Sequence, residues 1–429
     1  MQDPNDQPNN QIGKYIQHTT CRCCGSNNMA TVMDFGAMPL AGGFLKSEQF
    51  AQEKLYPLHV AFCRACTLVQ VPEAIPPATL FKDYFYFSSA IKTLVDHCTA
   101  WAGEMHDRFL KNCPNPSVFE IGCNDGVMLK PFAALGLKAV GVDPATNVVK
   151  SVKQEGFTIV NDFFNEEVAK RVRAEHGQFD MITSSYSFAH IDDMMSVGKG
   201  VAELLKADGV FVFEVYYLGT LIEEMQYDMI YHEHCNYYSL KSLQNFLGAY
   251  GMEIFDTTFT PGVRSGAVRF FARKKGGRSE SIAESVKTME RQEQEKGYYN
   301  EKTFVEYGKK IELTKIELLK TLDQLKAQGK TIIGYGASGR GTMIMNYCGI
   351  GTQYLDYVVD DAPAKHGFYT PGTHVVIQPW DYTEKEKFPD FALLFAWSFM
   401  NEVLKKRTDY TAKGGKFIVP LPSVRVVPE

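Results

Sequence analysis

Twice along this chain an apolar run passes directly into a glycine-bearing turn and then into helical text. The first instance is Val118-Phe119-Glu120-Ile121-Gly122-Cys123-Asn124-Asp125-Gly126, the second Ile332-Ile333-Gly334-Tyr335-Gly336-Ala337-Ser338-Gly339-Arg340-Gly341. Short, mainly apolar runs of this kind suit parallel strands covered on both faces, which need helical crossovers between them. Further strand text follows the first turn, at Lys138 to Asp143, Phe179 to Thr183 and Gly209 to Val215. It follows the second at Leu355 to Asp360 and Phe391 to Ala396. The alternation predicts an α/β chain with two nucleotide-type sheets, joined by a charged helical connector from about Ser279 to Gln328. Ile311, Ile316, Leu319, Leu322 and Leu325 are expected to share one side of that connector.

The first turn carries acids where a dinucleotide site would carry glycines. Glu120 precedes Gly122, and Asn124 and Asp125 stand inside the turn. A pyrophosphate would be repelled there, whereas the amino group and sulfonium of S-adenosylmethionine would be attracted. About 20 residues on, Asp143 ends the second strand, placed to accept both ribose hydroxyls. Asp162 and Phe163, after the third strand, are candidates for the adenine. The set Glu120, Gly122, Asn124, Asp125, Asp143, Asp162 and Phe163 therefore reads as a cofactor site for a methyltransferase.

Upstream lie two C-x-x-C pairs, Cys21/Cys24 and Cys63/Cys66, separated by 38 residues. That spacing lets four thiolates face one tetrahedral zinc and leaves no open coordination position, so the metal is expected to be structural. Residues 15–75 are thus expected to form a small zinc-binding domain, 76–275 the first α/β domain and 276–429 the second. Residues 1–14, rich in Asn, Gln and Asp, read as a disordered leader without the apolar core of a signal peptide. Net charge of −5 and pI near 6.1 argue against a general nucleic-acid surface. No run approaches the length of a spanning helix, so no membrane partner and a cytoplasmic address with reduced thiols are expected.

The densest chemistry is Tyr231-His232-Glu233-His234-Cys235-Asn236-Tyr237-Tyr238. Such a run of titratable and phenolic groups fits poorly in an apolar core and points to proton removal, with an imidazole as general base. Tyr84-Phe85-Tyr86-Phe87-Ser88-Ser89 adds phenols and hydroxyls at the entrance to the middle block.

These segments, taken in order, resemble the sugar-nucleotide C-methyltransferases that make branched deoxysugars. The resemblance rests on the two C-x-x-C pairs, Y-x-Y-x-S-S, E-I-G-C-N-D-G, A-H-I, Y-H-E-H and the C-terminal G-x-G-A-S-x-R-G, and runs from about residue 20 to the end. It implies a zinc-binding N-terminal domain, a central Rossmann-like methyltransferase sheet and a C-terminal Rossmann-like domain, enclosing a nucleoside-diphosphate 4-keto sugar. By the same resemblance the catalytic residues are Tyr86, His190, Tyr231, Glu233 and His234, with His234 as the base. A D-D-x-P-x-K-x-G stretch matches at Asp360 to Gly367, including Lys365. The chain departs from many relatives at Gly262-Val263-Arg264-Ser265, ahead of Arg269, and at Ser185-Tyr186-Ser187-Phe188 ahead of Ala189-His190.

A ketone acidifies the neighbouring C–H because the carbanion delocalises as an enolate, so a base at that carbon and donors at the oxygen are the minimum equipment. On this reading His234 takes the proton, Glu233 holds its ring, and Tyr86 or Tyr231 donates to the oxygen. Tyr84, Ser88, Arg269, Gly336, Ser338, Arg340 and Lys365 are the expected substrate contacts, with Arg340 and the helix N-terminus at the diphosphate. The alternatives are an O- or N-methyltransferase, a dehydrogenase using the second turn, and a non-catalytic binding protein.

Overall fold

In a computed structural model of the chain, residues 12–81, 87–260, 266–385 and 388–428 are described. Tyr84 and Tyr86 lie outside the described residues, as does the departure at Gly262 to Ser265.

The N-terminal block is β-rich. β1 (Ile16–Gln17), β2 (Met29–Pro39), β3 (Leu55–Cys63), β4 (Val69–Gln70) and β5 (Glu73–Ala74) are all short or irregular. β2, β3 and β4 form an antiparallel ladder, and β1 pairs with β5. Ile12 and Gly13, within the expected leader, meet Leu55 of β3. The Gly13 N–H donates to the Leu55 carbonyl at 3.0 Å.

The middle block holds a seven-stranded sheet. Its strands are β6 (Ser117–Ile121), β7 (Lys138–Val142), β8 (Phe157–Val160), β9 (Phe179–Ser185), β10 (Leu205–Tyr216), β12 (Met252–Thr260) and β13 (Ala267–Lys274), with β11 (Asn236–Tyr237) set apart. The order is β12-β13-β10-β9-β6-β7-β8, with β13 antiparallel to both neighbours. All five residues of β6 are buried, the polar Ser117 and Glu120 among them, as in a central strand covered on both faces. β6 runs parallel to both neighbours, β7 and β9, the strand order reverses at it, and the crevice at its carboxyl end is where such sheets bind ligands. Gly122 turns the chain there with φ +73°, and a Cβ on it would stand 2.2 Å from Ser187 Oγ, so only glycine fits.

The C-terminal sheet contains β14 (Ile332–Tyr335), β15 (Val358–Val359), β16 (Ile377–Gln378), β17 (Phe391–Leu394), β18 (Lys416–Val419) and β19 (Arg425–Val427). Its order, β16-β15-β14-β17-β18-β19, is again doubly wound and puts its crevice between β14 and β17. At Gly336 φ is +94°, and an added Cβ would meet Ala396 Cβ at 3.1 Å. The connector is two helices, Glu284–Glu295 and Glu301–Ala327, broken at Gly297 with φ +73°. Ile311, Leu318 and Leu322 face the core, while Ile316 is 54% exposed. Five residues turn a helix about 140° off the starting face, so Ile311 and Ile316 cannot share one side.

The blocks are not independent. Val60, Phe62 and Val69 of the N-terminal ladder share one apolar cluster with Phe304, Tyr307 and Ile311 of the long helix and Ile332 and Ile333 of the C-terminal sheet. β11 of the middle block also pairs antiparallel with β4, joining the N-terminal ladder as a fourth strand.

Candidate active site

A cavity of about 520 Å³ opens at the carboxyl end of β6, a volume typical of small-molecule sites. Glu120, Gly122, Asn124, Asp143, Phe163, Ser88 and His190 are in its wall. Glu120 is 1% exposed and its Oε2 has no hydrogen-bond partner. Burial, followed by the charges of Asp143 and Asp125, pushes its carboxyl well above the usual range. Asp125 accepts from the Ser89 N–H at 3.1 Å and keeps a buried, unpartnered Oδ1. Asp143 accepts from Asn124 N–H at 2.8 Å and from Ala145 N–H at 2.9 Å, which fixes its carboxylate at the wall. Asn124 in turn accepts from the Ser88 N–H at 2.9 Å. Buried acids with orphaned oxygens call for a cationic ligand, and the sulfonium and ammonium of S-adenosylmethionine fit that demand. Asp162, expected at the adenine, pairs with Arg171 at 2.8 Å, while its neighbour Phe163 is in the wall.

Beyond His190 the site continues into the histidine run. Residues 231–233 make a turn, so His232 and His234 diverge instead of sharing a face. The Nε2 of His232 lies 2.9 Å from the Pro57 carbonyl, and burial pushes its pKa down. His234, 3% exposed, places Nδ1 2.8 Å from the Met229 carbonyl and Nε2 3.0 Å from the Tyr231 hydroxyl. A carbonyl only accepts, so Nδ1 carries the proton and Nε2 presents its lone pair. His190 has the same tautomer by the same logic, with Nδ1 2.7 Å from the Glu233 carbonyl. The two imidazole centroids are 5.0 Å apart, and Tyr216 packs 5.4 Å from His234.

The expected role of Glu233 is corrected. Met229, not the Glu233 carboxyl, holds the His234 ring, because the turn sends the Glu233 side chain toward Gly42, where a Cβ would stand 3.4 Å from Oε1. Burial pushes that carboxyl up to about 7.

The C-terminal residues converge on the same place. A Cβ at Gly339 would stand 3.2 Å from Ala41 Cβ and 3.8 Å from the Tyr231 ring. Ser338 caps the helix Gly339–Cys348 through its hydroxyl, which accepts from Gly341 N–H at 3.2 Å. Arg340 is engaged inside the protein: Nε and a terminal nitrogen reach Asp228 at 2.7 and 3.1 Å, and another reaches Ser398 at 3.1 Å. Trp397 Nε1 donates to the same carboxylate at 2.8 Å. Lys365 donates to the Ala337 carbonyl at 2.6 Å and to Asp360 at 3.1 Å, bracing the Gly336 turn. Arg269 is 3% exposed and locked between Glu214 and Glu104 at 2.7 and 2.6 Å. Arg340 and Arg269, expected at the substrate, are both held in internal ion pairs.

Cys21, Cys24, Cys63 and Cys66 come together with their sulfurs within 4.8 Å of one another, Cys21–Cys66 at 3.5 Å and Cys24–Cys63 at 3.7 Å. Tetrahedral zinc with bonds of about 2.3 Å asks for sulfurs about 3.8 Å apart. The cluster fits that metal with all four ligands supplied by the chain.

Family models match along the whole architecture: a zinc binding domain over 21–81, a methyltransferase domain over 98–257 and a C-methyltransferase C-terminal domain over 262–422. Over 409 residues the chain is 33% identical to the C-methyltransferase NovU of Streptomyces niveus, covering 95% of this chain and 96% of NovU. The chain belongs to the C-methyltransferase family. It is an S-adenosylmethionine-dependent C-methyltransferase with a zinc-binding N-terminal domain. A ubiquinone biosynthesis O-methyltransferase of Actinobacillus pleuropneumoniae serotype 7 is 30% identical over 106 residues, 22% of this chain and 44% of that protein. Magnesium protoporphyrin IX methyltransferase from Synechocystis PCC 6803 aligns at 17% identity with a TM-score of 0.32, over 42% of this chain and 82% of that one. No described helix of this C-methyltransferase is long and apolar enough to cross a membrane.

Several site residues carry no sequence motif. Met229 and Asp228 read as ordinary loop text, and Ala41-Gly42 gains meaning only beside Tyr231 and Glu233. Tyr186 and Tyr216, whose rings lie 5.1 Å apart, link the cavity to His234. The unusual density of aromatics after β9 and β10 was the available signal.

Proposed function

We propose that this C-methyltransferase methylates the carbon next to the ketone of a nucleoside-diphosphate-linked 4-keto-deoxysugar, with His234 as the base. The observation that carries the reading is the fixed tautomer of His234: Nδ1–H is spent on Met229, so the basic lone pair is at Nε2 beside Tyr231. Bound in the cavity at Glu120 and Asp143, S-adenosylmethionine supplies an electrophilic methyl. The substrate C–H takes the place of the Tyr231 hydroxyl at Nε2 and gives up its proton there. The Tyr231 O–H then donates to the ketone oxygen as it gains enolate charge. His190, in the cavity wall and adjacent to His234, provides a second positioned imidazole for a sugar oxygen. Proton removal by a positioned imidazole contributes roughly 10²–10⁴ in rate.

The sugar-nucleotide assignment is supported by the doubly wound C-terminal sheet, whose crevice and helix N-terminus at Gly339 adjoin Tyr231. Residues 15–75, 76–275 and 276–429 would then work as zinc-binding, methyl-transferring and nucleotide-binding units. Four reduced thiols at the metal agree with a cytoplasmic address. Incubating the enzyme with labelled S-adenosylmethionine and candidate keto-sugar nucleotides, then locating the label by NMR, tests the reading. A new C–CH₃ bond beside the ketone supports it, and a methyl on oxygen or nitrogen contradicts it.

A further inference from the structure

The four-cysteine knuckle is wired to both histidines of the site. Arg22, next to Cys21, is 4% exposed, and its Nε donates to Asp192 at 2.7 Å. Asp192 stands in the cofactor-cavity wall two residues after His190. Gln70 is fully buried; its Nε2 donates to Cys21 Sγ at 3.2 Å and its Oε1 accepts from the Arg22 backbone N–H at 3.2 Å. The Gln70 backbone pairs with Asn236, two residues after His234. Between the histidine segments, Cys235 N–H donates to the Ala189 carbonyl and Asn236 Nδ2 to the Ile191 carbonyl, both at 2.7 Å. A displacement at Cys21 thus reaches β11, just after His234, through Gln70 and the His190 loop through Arg22.

We propose that Arg22 and Gln70 are positioning residues through which the zinc knuckle sets His190, His234 and the Asp192 side of the cofactor cavity. The proposal rests on the reading above that these histidines act in catalysis. Outer-shell partners of a metal ligand typically matter by about 10–100-fold in affinity or activity, and here the shell ends on the reaction site.

The test uses the zinc-loaded full chain with Arg22→Ala, Arg22→Lys or Gln70→Met. Zinc content and thermal midpoint are measured on each sample, followed by ¹⁵N spectra of the histidine rings and calorimetry with S-adenosylhomocysteine. In Arg22→Ala the His190 and His234 rings should lose their single Nδ1–H tautomer, and the ligand Kd should rise about tenfold. The Lys variant, which keeps a cation for Asp192, should recover most of both. If Arg22→Ala does not fold, Gln70→Met removes the side-chain hydrogen bonds to Cys21 and Arg22 at similar volume and should show the same ring changes at full zinc content. Ring spectra identical to wild type in a folded, zinc-loaded variant overturn the proposal, whatever happens to the thermal midpoint. Neither readout involves methyl transfer, so a different base for the reaction would leave this result standing.

Discussion

The hydroxyl of Tyr231 sits 3.0 Å from Nε2 of His234, and the two rings lie 4.1 Å apart between centroids. One short turn creates the pair, and the Met229 carbonyl on the far side of the imidazole decides which nitrogen is basic. The dyad borders the cofactor cavity through His190 and the C-terminal crevice through Gly339. Ala41 of the N-terminal block, Tyr231 of the middle block and Gly339 of the C-terminal block meet beside it.

Replacing Tyr231 with Phe keeps the ring against His234 and removes only the donor. The expected result is a fall in kcat of about 10–100-fold with KM for the cofactor nearly unchanged, because the lost interaction grows with charge on the ketone oxygen. Steady-state kinetics on the preferred keto-sugar nucleotide check this; a loss confined to KM would place Tyr231 in ground-state binding instead.

Glu120 gives the cofactor step a pH signature. Burial pushes its carboxyl up, so in the ligand-free enzyme it holds its proton above the ordinary carboxylate range. A cationic ligand beside it favours the ionised form, so binding lowers its pKa and expels a proton. Affinity for S-adenosylmethionine should therefore climb with pH and level off once Glu120 ionises unaided. Calorimetry in buffers of different ionisation enthalpy reads the released proton directly, and Glu120→Gln should abolish that release.

The Arg340–Asp228 pair is internal, so its removal should be felt as stability. Asp228→Ala leaves a largely buried guanidinium and Trp397 Nε1 without their shared acceptor. Breaking a buried pair on one side costs about 3–5 kcal/mol, to be measured by denaturant unfolding. A stability change within about 0.5 kcal/mol of wild type would return Arg340 to the list of substrate contacts.

Zinc should copurify at one ion per chain, read by elemental analysis. Chelation or Cys21→Ser should cost folding, because structural zinc binding is coupled to folding of its domain. Retention of the native circular dichroism and solubility without metal would contradict the structural assignment.

Much of this was legible from the residues. The cysteine spacing, the two strand-to-glycine turns and Glu120 and Asp143 are local patterns, and local geometry sets them. What stayed hidden was pairing over long distance. Nothing at Val69–Gln70 announces that Asn236–Tyr237 will join it as a strand, since two-residue partners have no periodicity of their own. Arg269 and Arg340 were expected at the substrate, and nothing local shows the acids they pair with, Glu214, Glu104 and Asp228, which lie 55 to 165 positions away. Glu233 looked like the holder of its neighbour's ring, but adjacent residues in a turn point apart, and a backbone carbonyl five residues before His234 took that role.

Hydrogen exchange at the carbon beside the ketone tests the central claim most directly. With S-adenosylhomocysteine bound and the keto-sugar nucleotide in deuterated water, proton removal is isolated from methyl transfer. Wild-type enzyme should exchange that position, followed by NMR or mass, and His234→Asn should slow it by roughly 10²–10⁴ while keeping S-adenosylhomocysteine affinity within about threefold. Exchange in His234→Asn at the wild-type rate would contradict the assignment and move the base to another group.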